Sequence, residues 1–302
     1  MSQHADSIYV AILVHADIDD IWRYTQTPQL HEQWDLRFTT ISYLPRPDET
    51  QPQRFLYSTR IGFGLKIEGE GESIGNQTGP NGQRTSALKF WSSDPKSLIA
   101  EGAGYWKYTP TPEGTLFETG YNYSVRFGPL GQLFDRLIFR PLIGWATAWS
   151  FDRLRLWIEK GIHPATSLNQ SFIYALARLV IAFVWLYHGL IPKLIFNHAD
   201  ELVLFKEAGA PTALIAVVGF IEVALGLGLI IAWRTRWLFA LTIGLMLAAT
   251  LGVALRSPQY LVAAFNPVTL NMLTIALAII GLLAGLQIPS AGRCRRQKDD
   301  SK

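Results

Sequence analysis

Gly219–Ile231 reads GFIEVALGLGLII, and the solvent around this stretch decides the fold. Apart from Glu222, every residue in it is apolar or glycine. Such a run is either a helix inside a soluble bundle or a segment dissolved in lipid. A helix on a soluble core keeps a polar face at a 3.6-residue period. The nearby LFALTIGLMLAATLGVAL (Leu238–Leu255) has no such face, with only Thr242 and Thr250 as polar members. Four apolar stretches, Phe172–Phe196, Pro211–Trp233, Trp237–Leu255 and Val268–Ile288, approach the ~20 residues that cross a hydrocarbon core of ~30 Å as a helix. The sequence therefore predicts four transmembrane helices.

The averages over 302 residues, 49% hydrophobic and 17% charged, hide this division. Met1–Ala165 carries 16 Lys+Arg against 18 Asp+Glu, whereas Thr166–Lys302 carries 11 against 6. The basic residues of the second part gather at Arg234 and Arg236, between two tryptophans, and at Arg293, Arg295, Arg296 and Lys298. Charges beside apolar runs exclude a nucleic-acid footprint, which needs a basic face on a soluble domain. Lysine and arginine favour the cytoplasmic side. That rule places both termini and the Arg234–Arg236 turn on the cytoplasmic side of the inner membrane and the acidic segment Asn197–Ala210 outside. MSQHADSIYV lacks the basic-then-apolar pattern of a cleaved signal peptide. Cys294 is the single cysteine, so no intrachain disulfide exists. It reads as an inert tail thiol, with S-acylation beside the membrane as the alternative.

The first half reads as soluble α+β. Ser7–His15 is a strand candidate, followed by a short helix with Asp17 as its N-cap and Ile18, Ile21 and Trp22 on one face. Strand candidates continue at Phe38–Leu44, Arg54–Ile61, Leu65–Ile74, Arg84–Ser92, Ala100–Thr109 and Leu116–Phe127, separated by Gly, Pro, Asn and Asp clusters. A long helical segment from Gly131 to Lys160 closes the domain, with a break expected at Pro141 and Gly144. Within it, RPLIGWATAWSFDRLRLW reads as the closing helix, with contact to the bilayer as the alternative. The expected division is a soluble domain over 1–161, a linker over 162–170, a membrane domain over 171–289 and a basic cytoplasmic tail over 290–302.

The early strand followed by DIDDIWRYTQTPQLHEQWD, and the late helix ending FDRLRLWIEKG, resemble the START/polyketide-cyclase-like (SRPBCC) superfamily. The resemblance implies a helix-grip fold, an antiparallel sheet wrapped on a long C-terminal helix, enclosing a cavity for an apolar small molecule or lipid. Trp91, Trp106, Tyr121, Tyr123 and Trp149 are the candidate cavity residues, and filling of an ordinary core is the alternative use for them. In the second half, ARLVIAFVWLYHGLIPKLI, ELVLFKEAGAP and GFIEVALGLGLII resemble the DoxX-like membrane family. The family's arginine, Gly-x-x-Lys and glutamate match Arg178, Gly189 with Lys193, and Glu222, although Gly189–Lys193 is one residue longer than the commonest form. That resemblance implies an all-α four-helix transmembrane bundle and, for some members, a link to quinone-coupled oxidation.

A carboxylate at the depth of Glu222 is costly and should face the bundle interior. At 1.5 Å per residue, Glu222 and His188 fall ~16 Å and ~12 Å below the same surface, so they are predicted to meet. Lys193 is shallower and is predicted to snorkel outward, Arg178 to reach headgroups, and Asn271 to hydrogen-bond across helices. Gly219, Gly226 and Gly228 would let a neighbouring helix approach, and Gly281-x-x-x-Gly285 is a helix-packing pattern. The polar centre is either proton- or ligand-active or a structural interhelical bond, and the pattern leaves both open. Gly62-Phe-Gly64 lacks a third glycine and reads as a hairpin rather than a dinucleotide loop. No zinc spacing, nucleophile elbow or P-loop occurs, so no cofactor or metal is evident. The leading expectation is a binding protein with a quinone or lipid as candidate ligand. The alternatives are a quinone-linked oxidoreductase subunit with a redox partner, and a small transporter. A homo-oligomer is possible in each case.

Overall fold

The computed structural model describes residues 7–298 apart from 47, 49 and 63. The first six residues of the N-terminal reading, Phe63 of the glycine hairpin and the last four residues of the tail lie outside the described residues. The chain forms two units, Met1–Ser167 together with Pro289–Lys302, and Leu168–Ile288.

The first unit is built on a seven-stranded antiparallel sheet of order β1-β7-β6-β5-β4-β3-β2. Its strands are β1 (Ile8–Val14), β2 (Thr40–Tyr43), β3 (Arg54–Gly62), β4 (Leu65–Thr78), β5 (Arg84–Trp91), β6 (Ile99–Thr111) and β7 (Gly114–Val125). Hairpin connections explain the order, because each strand from β3 to β7 pairs with its predecessor in sequence. β1 then closes onto β7. Helices α1 (Ile18–Gln26) and α2 (Pro28–Trp34) fill the gap between β1 and β2. The closing segment runs α3 (Gly128–Phe134), a π turn (Asp135–Phe139) and α4 (Arg140–Lys160). This is the helix-grip fold, with α4 packed on β1, α2 and α1. The core lies between sheet and helix, where Phe117 stacks on Phe151 of α4 at 4.3 Å between ring centroids.

The break expected at Pro141 and Gly144 takes another form. Pro141 lacks an amide hydrogen, so an α-helical carbonyl four residues earlier would have no donor. The π turn just before it reaches one residue further along the chain. Gly144 does not interrupt α4; it is buried where an added Cβ would lie 3.7 Å from Ile8.

The expected linker is also absent. Gly161 ends α4 in the left-handed conformation at φ 65°, and α5 (Pro164–His188) begins three residues later. The expected free tail is instead part of the first unit. Arg295 exchanges two backbone hydrogen bonds of 2.9 Å with Ala11 on the outer edge of β1. The buried Asp152 accepts from Ser290 N at 2.7 Å, Arg293 at 2.8 Å and Arg155 at 2.8 Å. The tail thereby covers a strand edge that would otherwise offer unpaired backbone groups. Cys294 is buried and its thiol donates to the Ala148 carbonyl. Burial pushes that thiol up to about 12, which argues against the S-acylation alternative.

The second unit carries four helices long and apolar enough to cross a membrane, Pro164–Ile195, Leu214–Ile231, Trp237–Arg256 and Pro267–Ala284. We label the last three α7, α8 and α9; α6 (Ala199–Glu207) lies between the first span and α7. The first span ends in a π turn, Gly189–Ile195, that contains Pro192. A π turn holds one more residue than an α turn, which accommodates the extra residue between Gly189 and Lys193. Gly189 and Gly219 bring this turn against α7 so closely that a Cβ on Gly189 would lie 2.6 Å from the Gly219 carbonyl. Gly226 is equally confined by Leu186 and Ala182, whereas Gly228 has room for a side chain. Gly281 and Gly285 receive the rings of Phe239 and Tyr174.

Candidate functional site

Two places gather chemistry-bearing side chains, one in each unit. In the first, strand register sorts residues between the faces of the sheet, because directly paired residues share a face. Phe117, Trp106, Tyr121 and Tyr123 belong to the concave face that α4 covers. Following the pairs outward, Phe90 lies opposite Gly102, Gly71 opposite Phe90, Phe55 opposite Gly71, and Tyr57 opposite Gly69. Each ring lies across the glycine on the next strand. A Cβ on Gly102, Gly71 or Gly69 would come within 2.4 Å, 2.4 Å or 2.3 Å of the Phe90, Phe55 or Tyr57 ring. The glycines thus let the rings lie flat on the sheet. The result is an aromatic floor on β3–β5, extended by the exposed Tyr43, whose ring is 6.3 Å from that of Phe55. Phe55, Tyr57 and Phe90 remain half-buried.

The predicted cavity residues separate. Trp106 is buried against His31 and Trp34, at 4.8 Å and 6.1 Å between centroids. Tyr121 is buried and its hydroxyl pairs with Thr147 of α4 at 2.8 Å. Tyr123 donates to Asp135 at 2.7 Å. Burial, with the Asp135 carboxylate, raises the Tyr123 hydroxyl far above its ordinary value. Trp149 is buried beside Trp145 and under Arg153. These four fill the core. Trp91 pairs with Glu70 and Glu101 and so belongs to the convex face, under Arg54. A cavity role for Trp91 is corrected by a register that alternates sides at every residue.

Sequence reasoning missed Phe55, Tyr57, Phe90 and their glycines. The signal was the alternation Gly69-Glu-Gly71 and Gly102-Ala-Gly104, which removes side chains from one face of a strand. It also missed an ion pair beside this face. The buried Asp35 accepts from Arg37 at 2.9 Å and 2.6 Å and contacts His31 Nε2 at 3.1 Å. Burial alone would raise the Asp35 carboxyl, but Arg37 and His31 hold it well below the usual range. Burial also lowers His31, against the opposing pull of Asp35. His31 is packed between Trp34, Phe38 and Trp106.

In the membrane unit, Glu222 meets Lys193 rather than His188. The Lys193 ammonium lies 3.1 Å from Glu222 and 3.1 Å from Glu201 of α6. Lys193 is 6% exposed and does not snorkel. Pro192 removes the amide that an α-helix would offer to the His188 carbonyl. The Lys193 ammonium stands 3.5 Å from that carbonyl. His188 therefore contributes its backbone, and its imidazole is outside the trio. Arg178 does not extend to headgroups; it is 0% exposed. It donates to the carbonyls of Leu229, Ala232 and Thr235 and to the Tyr174 hydroxyl, which caps the end of α7. Asn271 of α9 donates to Thr250 of α8 at 3.0 Å, away from Lys193 on a different helix pair. Among the described residues no cluster of three or more His, Cys, Asp or Glu side chains is placed to hold a metal.

Comparison with known proteins supplies context for both units. Residues 182–279 match the DoxX-like family. The chain is 37% identical over 292 residues to the uncharacterized membrane protein YndG of Bacillus subtilis, covering 96% of this chain and 97% of that one. Over the first half, TTHA0849 from Thermus thermophilus aligns at 14% identity and a TM-score of 0.38, covering 51% of this chain and 99% of that structure. A fragment of the STAR-related lipid transfer protein from Xanthomonas axonopodis aligns at 15% identity and a TM-score of 0.37, covering 51% and 94%.

Proposed function

Because the chain belongs to the DoxX-like membrane proteins, in the family that includes Bacillus subtilis YndG, we propose that it is an integral membrane protein whose helix-grip domain binds an apolar or lipid-like molecule. The observation that carries this reading is the aromatic floor of Phe55, Tyr57 and Phe90 over Gly71, Gly69 and Gly102. Small-molecule sites are concave and mostly apolar, with few polar groups to fix orientation. Flattened rings on a concave sheet give that chemistry. A quinone ring or an acyl chain fits it better than a charged metabolite, because no unpaired charge faces the rings from Asp35 or Arg37, which neutralise each other.

The same reading places the domain in the cytoplasm, at the inner membrane. The Arg234–Arg236 turn supports that orientation by the lysine and arginine rule. The tail shares a unit with the first half, so by parity the chain between them crosses the bilayer an even number of times and both lie on that one side.

The test is native mass spectrometry of the full chain released from gentle detergent, followed by competition with a fluorescent fatty acid. Tyr43→Glu places a carboxylate on the exposed end of the floor. It should lower affinity at least about tenfold while leaving the melting temperature unchanged. Equal affinity in the variant and the parent would remove the floor from the binding site.

A second reading rests on the Lys193 centre, where one ammonium stands between two carboxylates. Intramembrane ionisable groups mark proton or solute paths. This centre would serve a quinone-linked step with a separate redox partner, or passage of a small solute. Glu222→Gln should then abolish quinone reduction or flux in membranes, and unchanged rates would leave the centre structural.

A further inference from the structure

The closing segment of the first unit is amphipathic in the wrong sense for a core helix. Its inward side carries Gly131, Asp135 and Gly144, all buried. It is fastened there by polar contacts: Tyr123 donates to Asp135 at 2.7 Å, and Arg140 donates to the same carboxylate at 2.9 Å. Its outward side carries Leu130, Leu133, Leu137, Ile138, Leu142 and Trp145, all exposed, with Leu130 at 79% and Leu137 at 65%. Their spacing of three, four, one, four and three residues draws one stripe along a helix. The π turn at Asp135–Phe139 lies within this stripe.

The chain also holds the start of the stripe in place. Phe127 is left-handed at φ 68°, a conformation uncommon outside glycine, and its ring is exposed. Gly131 is required beneath it, because a Cβ there would lie 1.8 Å from the Arg126 carbonyl. A backbone strained to present an apolar ring to solvent marks a contact surface. Contiguous apolar surface of this extent marks a protein or membrane contact.

We propose that the helical run from Leu130 to Trp145 lies in the interfacial layer of the bilayer, with its apolar stripe among the upper acyl chains. Two observations choose lipid over a protein partner. Three residues separate α4 from the helix that becomes the first span, so the domain is tied by a very short connection to a membrane. The exposed Arg136 lies within the run, where an anionic headgroup complements it. The apolar stripe then reaches ~5–10 Å into the boundary between headgroups and chains. This inference is independent of whether the aromatic floor takes a ligand.

The test uses the full chain in nanodiscs of mixed phosphatidylcholine and phosphatidylglycerol. Leu130→Cys, Leu137→Cys and Trp145→Cys are each labelled with an environment-sensitive fluorophore. The native Cys294 is buried and should stay unlabelled. Lipids with a quencher near the headgroup should quench these labels at least about twofold more than a label at Lys66→Cys, at the start of β4. A second substitution, Arg136→Glu added to Leu137→Cys, should reduce that quenching and leave the melting temperature unchanged. Quenching at the stripe no greater than at Lys66→Cys would overturn the proposal. So would stripe labels that report only one another across two copies, since the face would then be a dimer contact.

Discussion

Arg178 and Lys193 are buried cations 15 residues apart on the first span, and they are satisfied in opposite ways. Arg178 spends its donors on backbone carbonyls at the end of α7 and on the Tyr174 hydroxyl, while Tyr174, Trp233 and Phe239 present their rings to its guanidinium at 5.5–5.8 Å. Its carbonyl partners cannot change charge. Lys193 is held by Glu222 and Glu201, side chains on two other helices whose protonation can change. Planar guanidinium suits several fixed carbonyls, and a compact ammonium suits a point between carboxylates. The comparison teaches that an intramembrane charge is read by its partners. A charge satisfied by backbone builds the fold, and one satisfied by titratable groups on separate helices is where the second reading looks for chemistry.

Arg178→Ala should break this comparison most visibly. It strips several carbonyls of their donor at once, and a loss of about 3–5 kcal/mol is expected. A thermal melt in detergent should show collapse of the helical bundle, and a melting temperature near that of the parent would show that Arg178 is not a cap. Asp152→Ala asks whether the same rule holds outside the bilayer, where a buried charge is held by a backbone amide and two arginines. It should cost about 3 kcal/mol and release the tail. Alkylation of Cys294, slow in the parent, should become fast, and slow labelling in the variant would show that other contacts hold the tail. Lys193→Met with Glu222→Gln sharpens the contrast further. A double-mutant cycle should give a coupling of about 1–2 kcal/mol, and a value near zero would make the 3.1 Å contact energetically idle.

The smallest effect belongs to pH. His31 is lowered in the folded chain, so below the ordinary histidine value of ~6.5 the unfolded chain binds more protons. Stability should therefore rise with pH across that window and level off above it. His31→Gln keeps a donor for Asp35 and should flatten the slope. A further loss is expected only as the pH falls below ~4, where the unfolded chain takes up a proton at Asp35 while Arg37 and His31 keep the folded carboxyl ionised. An unchanged slope in the variant would assign the dependence to another group.

The comparison also shows how legibility varies along the chain. Strands at Arg54, Leu65 and Arg84 were readable to within a residue at their starts, because alternation and glycine-rich turns are local signals. The spans were readable because hydrophobic length is local as well. Trp91 was misassigned because its face depends on which β6 residue it pairs with: it lies opposite Glu101, one step from the Gly102 that faces the core. The pairing of Glu222 with His188 failed because depth arithmetic assumes a straight α-helix. The lysine that took its place lies inside the π turn, which begins directly after His188. The free tail and the linker were composition readings, and neither can register a partner that lies well over a hundred residues away, as Asp152 does from Arg293.

By itself the sequence determined two solvents, four apolar helices, seven strands in hairpin order and a closing helix. Each follows from periodicity and length, which a chain carries in its own order of residues. The tertiary structure alone decided which face each aromatic takes, which cation meets Glu222, and where the last residues go. Those depend on register, on one π turn and on contacts between distant segments, and such pairings are fixed by packing and hydrogen-bond satisfaction across the fold.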